Sequence, residues 1–172
     1  MNYTQQELPF EAVIGLDISA IDTFLKAANQ QVGNTDTVQL YHEVITREEI
    51  KEYTDAYVIF AHYLEENKNY RNRIHPDFII EYVDGCIDTI WCILCELRGL
   101  GLDPVALFNE VARSNLSKIS DSGSIEKNAA GKVMKPLSYS APNLVPLVMQ
   151  SELVKELVWG KQIDSIRDEA SS

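Results

Sequence analysis

No segment of this sequence approaches the roughly 18 uninterrupted apolar residues that a membrane span requires, so a spanning helix is not expected. Residues 1–10 carry no basic region followed by an apolar core, and no signal peptide is expected either. Cysteine is scarce: Cys86, Cys92 and Cys95 are the three, all inside one apolar stretch. An odd, clustered count does not make a disulfide framework and points to a reducing, cytoplasmic setting. Basic residues are also few, 15 against 26 acidic ones, for a formal net charge of −11. That balance argues against non-specific nucleic-acid binding, which needs a basic footprint, and against docking on an anionic membrane. Internal repeats and low-complexity tracts are absent.

What is present suits one globular domain spanning residues 1–172, with 45% hydrophobic and 24% charged residues. Helical spacing of Ile18, Ile21, Phe24, Leu25 and Ala28 predicts a first helix from Ile18 to Gln31, broken at Gly33. The stretch from about Thr37 to Glu66 has no glycine or proline, and its apolar residues recur at threes and fours, predicting one long helix. A polar loop over 67–75 holds Tyr70, Arg71 and Arg73, read as solvated with a nucleotide contact as the alternative. Pro76 opens a third helix that runs to about Arg98 and ends at Gly99 and Gly101. Asp103 as N-cap and Pro104 at the first helical position begin a fourth, reaching about Ser114. From 119 to 146 Ser, Asp, Gly, Lys and Pro dominate, predicting an extended arm with a short hairpin around Gly131. Leu147 to about Arg167 is predicted as one more helix. The expected fold is therefore all-α, a four-helix-type bundle with its core at 18–118, the arm at 119–146 and a helix or tail at 147–172.

The chemistry-bearing pattern is acidic. At about 100° per residue, Glu48, Glu52 and Asp55 share one helical face with Glu49 at its flank, and Glu81, Asp84 and Asp88 share a face of the third helix. Many such stripes are solvated faces. Here the third helix carries an opposite stripe of Ile80, Val83, Ile87, Ile90, Leu94 and Leu97, read as core. Its acidic face also continues into Trp91, Cys92 and Cys95, so the carboxylates are expected to point into the bundle. Like charges gathered in a partly buried space repel unless a cation neutralises them. Oxygen donors without His or Cys suit Mg²⁺, with Mn²⁺ as substitute. Paired cations of this kind act on phosphate chains. A di-iron bundle is excluded, because none of His42, His62 or His75 has an acid three residues before it. Cys92 and Cys95 read as core rather than a zinc or redox pair, and Trp91 as core rather than a base-stacking platform.

Glu48-Glu49-x-x-Glu52 followed by Glu81-x-x-Asp84 resembles the signature of MazG-like all-α nucleoside triphosphate pyrophosphohydrolases. That superfamily includes phosphoribosyl-ATP pyrophosphohydrolases and dimeric dUTPases. The segment from Arg113 to Lys118 is similar to the phosphate-side motif of that family. Gly131 to Pro136, with Tyr139 and Pro142, resembles the arm of its phosphoribosyl-ATP pyrophosphohydrolase-like subgroup, and Phe24 to Gln30 its first helix. The resemblance covers residues 20–142 and implies hydrolysis of a (deoxy)nucleoside triphosphate, dUTP or another dNTP favoured, to the monophosphate and pyrophosphate in nucleotide-pool housekeeping. It implies Glu49, Glu52, Glu81 and Asp84 as Mg²⁺ ligands and Glu48 at the attacking water, with Glu48 and Glu49 able to exchange roles. Asp88 would support a ligand; Lys118, Asn115, Arg113, Lys132 and Lys135 would bind phosphate. It also implies a homodimer or homotetramer. Phosphoribosyl-ATP hydrolysis and non-catalytic nucleotide binding are the alternatives.

Overall fold

The computed structural model describes residues 18–66, 75–120 and 122–160. Among them the fold is all-α, and the only β pairing is an isolated antiparallel bridge between Lys127 and Val133. The helices are α1 (Ile18–Ala27), α2 (Thr35–Val44), a π turn (Ile45–Glu49), α3 (Ile50–Glu66), α4 (Pro76–Gly99), α5 (Pro104–Leu116), α6 (Val145–Val148) and α7 (Glu152–Trp159). Asn34 caps α2 by accepting hydrogen bonds from the Asp36 and Thr37 amides, and Asp103 caps α5 through Val105 and Ala106. Tyr70, Arg71 and Arg73 lie outside the described residues.

The long second helix is thus present but not uniform. Its inward residues come at Thr37, Tyr41, Ile45, Glu49 and Tyr53, every fourth position. Sixteen residues at about 100° each make four turns and about 160° more, which in an undistorted α-helix would put Thr37 and Tyr53 on nearly opposite faces. The π turn, in which the Ile50 amide donates back five residues to the Ile45 carbonyl, absorbs much of that excess rotation. The same column then stays against α4 from end to end. Thr37 and Val38 pack on Gly99, Tyr41 meets Cys95, Ile45 shares the buried cluster with Cys92, Glu49 faces Asp88, and Tyr53 lies on Gly85.

The four buried residues of α4 are its small ones, Gly85, Cys92, Cys95 and Gly99. This corrects the first four positions of the expected core stripe, while Leu94 packs on the core as expected and Leu97 is half-buried. Ile80, Val83, Ile87 and Ile90 are 62%, 49%, 57% and 48% exposed. Small residues let two helix backbones approach closely, and the interface with the column from Thr37 to Tyr53 takes that face; the branched aliphatics are left outward. Ile21 and Leu25 of α1 close the core over Tyr41, Ile45 and Cys92. Arg98 clamps α1 by a two-pronged ion pair to Asp22 (2.7 and 2.9 Å) and donates to the Leu102 carbonyl.

Two further expectations are revised. The carboxy-terminal helix is two pieces, because Ser151 caps α7 through the Val154 amide and donates to the Leu100 carbonyl, so a new helix starts there. Gly160, at φ 59°, ends α7, and residues 161–172 lie outside the described ones. The first helix stops at Ala27, with Asn29 in the left-handed region at φ 57°.

Deleting Arg47 should remove the surplus residue of the π turn and leave an unbroken α-helix that still presents the column to α4. Its thermal midpoint should match or exceed that of the parent by scanning calorimetry. A fall of more than about 5 °C would show that the turn holds no surplus residue.

Candidate functional site

The π turn decides which acids face the helix pair. Glu49, placed by the sequence pattern at the flank, turns inward and is half-buried, while Glu48 is exposed. Burial first, then Asp88, Glu52, Glu48 and Asp84, push the Glu49 carboxyl above its ordinary value. Asp88, assigned by the resemblance to a supporting place, is thus the acid that acts most strongly on Glu49. Glu52, Asp55, Glu81 and Asp84 line a cleft of about 290 Å³ between α3 and α4, with Ala56, Ile59 and Gly85 completing it. The structure therefore brings Glu48, Glu49, Glu52, Glu81, Asp84 and Asp88 to one seam. It does not enclose them: in this chain all but Glu49 are exposed, because the small-residue face of α4, not its acidic one, takes the helix contact. The reading that they point into the bundle is corrected accordingly.

Beside the acids, Tyr53, Tyr57, Phe60 and Tyr82 form an aromatic group, with Phe60 and Tyr82 stacked at 4.9 Å between centroids. It packs α3 on α4 at the level of the cleft, Tyr53 following Glu52 and Tyr82 following Glu81 in the chain. Cys92 is buried, and burial followed by the Glu49 charge pushes its thiol up to about 11; Cys95 is raised by burial. Burial disfavours the thiolate at both, which suits packing in the core. Trp91 is half-buried and meets Phe24 edge-on at 5.6 Å.

The phosphate-side residues gather elsewhere, where the arm folds onto the end of α5. Ser117 Oγ accepts from the Ser140 amide, Arg113 donates to the Ala141 carbonyl, and the Asn143 amide donates to Glu110. Around Tyr139 stand Lys135, its ammonium 4.5 Å from the ring centre, together with Lys118 and Arg113. A hydrogen bond with Ser114, then Lys135 and Lys118, draw the Tyr139 hydroxyl below its ordinary value. Arg113 is already engaged by Glu110, whose carboxyl this pairing holds down to about 2. Lys118 donates to Asn115 at 2.6 Å, and Lys132 is exposed on the hairpin that Gly131 turns at φ 78°. Among the described residues no ion pair joins these cations to the acids of α3 and α4.

Whether a divalent cation fits rests on the donor set. Among the described residues no three acidic, His or Cys side chains converge at coordination geometry. The donors themselves suit a hard cation: carboxylates on two adjoining helices, with Glu49 already disfavoured as an anion by its neighbours. One acid and one glycine went unassigned from sequence, Asp55 and Gly85, although a glycine inside a helical run is itself a signal; Asp88 was given a supporting place.

Fold and cleft together define an all-α chain with an acidic seam between two close-packed helices and a basic group built by its arm. Comparison of the sequence with protein-family models and with curated proteins gave no match.

The folded chain holds the Glu49 proton more tightly than the unfolded chain does. Its contribution therefore weakens folding as pH rises through the ordinary carboxylate range toward the raised value. Glu49→Gln should raise the metal-free thermal midpoint at pH 7, read by scanning calorimetry in EDTA. A lower metal-free midpoint would contradict the crowding of Glu49.

Proposed function

We propose that this chain is a Mg²⁺-dependent nucleotide pyrophosphohydrolase of the MazG-like superfamily, cleaving a (deoxy)nucleoside triphosphate to the monophosphate and pyrophosphate. The observation that carries the reading is the gathering of acids from α3 and α4, with Glu49 held inward among Glu48, Glu52, Asp84 and Asp88. Glu49, Glu52, Glu81 and Asp84 would hold the cation, which when bound neutralises phosphate charge and polarises the phosphoryl oxygens. Inward Glu49 suits cation holding, and exposed Glu48 is left to orient the attacking water and take its proton. Water adds at the α-phosphorus, the bond to the bridging oxygen of the β-phosphate breaks, and pyrophosphate departs. The basic group at Tyr139 supplies cations for phosphate oxygens, from Lys118 and Lys135 more than from Arg113, which Glu110 already occupies. Deoxynucleoside triphosphates, dUTP among them, are the favoured substrates.

A panel of ribo- and deoxynucleoside triphosphates with Mg²⁺, products separated by chromatography, should give monophosphate and pyrophosphate from one or a few. Glu49→Gln combined with Asp84→Asn should cut turnover by at least about a hundredfold with the helical circular dichroism kept. Full activity in that double variant would sink the assignment. Turnover of phosphoribosyl-ATP alone would move the substrate to that compound, and nucleotide binding without hydrolysis would make the chain a sensor or sequestering protein.

The same proposal includes a homodimer or homotetramer, supported by the outward aliphatics of α4. Light scattering after gel filtration should show an oligomer that Ile80→Glu with Ile87→Glu dissociates. A monomeric parent would overturn it.

A further inference from the structure

We infer that Gly85 is a positioning residue of the acidic cleft: by admitting the backbone of α3 against α4, it sets the gap across which Glu52 faces Asp84 and Glu81. A β-carbon on Gly85 would stand 3.2 Å from the Tyr53 α-carbon, 3.3 Å from the Tyr53 nitrogen and 3.7 Å from the Glu52 carbonyl carbon. All three neighbours are backbone, so no side chain can swing aside to make room; the helices themselves must part by a few tenths of an ångström. Each partner in this contact is bonded to an acid of the cleft, Gly85 to Asp84 and Tyr53 to Glu52. Any separation forced here therefore passes directly into the carboxylate gap. Gly85 also lines the cleft. Glycine is otherwise a poor choice for the interior of a long helix, where alanine is the better former. Its presence here is explained by the contact and by nothing in the helix.

The molecule contains its own control. Gly99, on the same helix and equally buried, makes the same kind of approach: a β-carbon there would lie 3.1 Å from the Val38 nitrogen and 3.2 Å from the Thr37 and Val38 side chains. No acid of the cleft adjoins that contact. A purely structural part for the glycines would make the two positions equivalent, whereas a positioning part for Gly85 separates them.

This role rests on the cation reading proposed above, and its test is Mn²⁺ binding by calorimetry on the full chain, alongside thermal midpoints. Both Gly85→Ala and Gly99→Ala should lower the midpoint. Only Gly85→Ala should also weaken Mn²⁺ binding, by about tenfold or more, the size of effect typical when the support of metal ligands is disturbed. If Gly85→Ala does not fold in plain buffer, the titration is run in sucrose, which favours the compact state. Equal Mn²⁺ affinities in the parent and Gly85→Ala, or equal losses in the two variants, would overturn the role while leaving the cation reading intact. A parent that binds no Mn²⁺ would overturn the cation reading and this role with it.

Discussion

The packing of α4 through its smallest residues onto the column from Thr37 to Tyr53 is the constraint from which the remaining features follow. Two backbones that approach at Gly85 and Gly99 leave no room for large side chains between them, so Cys92 and Cys95 fill the middle and the branched aliphatics of α4 turn away. The column can meet such a narrow face only if it does not drift around its own axis. The π turn is what corrects the drift, and it does so at the acids: Glu48 and Glu49 belong to the turn itself. Packing register and site register are the same thing in this fold. π turns recur at functional sites for a related reason, since they aim side chains that a regular helix would misplace.

Electrostatics then follow geometry. A close helix pair with acids on both members concentrates negative charge along its seam, and the chain as a whole carries −11. Only Glu49 is drawn into partial burial, and that burial with the neighbouring acids pushes its carboxyl up. The rest stay in water, where repulsion is screened and the fold tolerates it. The few cations that matter are instead tied down locally: Arg98 holds α1 through Asp22, and Arg113 holds the arm through Glu110 and the Ala141 carbonyl. Lys118 and Lys135 collect at Tyr139, where the arm meets α5. An arm with little regular structure is thereby given a fixed seat, and its basic residues a common location.

Helix existence, the capping at Asp103 and the hairpin at Gly131 were legible because they depend on local chemistry: a carboxylate aimed at free amides, a proline at a first turn, a glycine at positive φ. The acids were legible as a set for the same reason, by their spacing. What the pattern misassigned was direction. Hydrophobicity identified Ile80, Val83, Ile87 and Ile90 as an inward stripe, yet the inward stripe is made of glycine and cysteine. A hydrophobicity scale gives glycine little weight, so a face built for close approach is invisible to it. The four-residue spacing of Thr37, Tyr41, Ile45, Glu49 and Tyr53 was open to inspection and carried the π turn. Reading the segment at a fixed 100° per residue turned Glu49 to the flank and Glu48 to the centre. The break at Ser151 went unread because a cap residue inside an apolar run looks like an ordinary polar position until its partners, the Val154 amide and the Leu100 carbonyl, are known.

The outward aliphatics and the open acidic seam are two consequences of one choice of face. Had α4 buried its Ile and Val stripe in this chain, Gly85 and the acids beside it would have faced away from α3, and no cleft would exist between the two helices. Building the cleft within one chain therefore leaves the apolar face of α4 without a cover among the described residues. On the proposed reading a second copy provides that cover, so that oligomerisation answers the burial that the acidic site forgoes. The assembly and the site would then be joined by the geometry of a single helix, its narrow face turned to α3 and its broad apolar face to a neighbour.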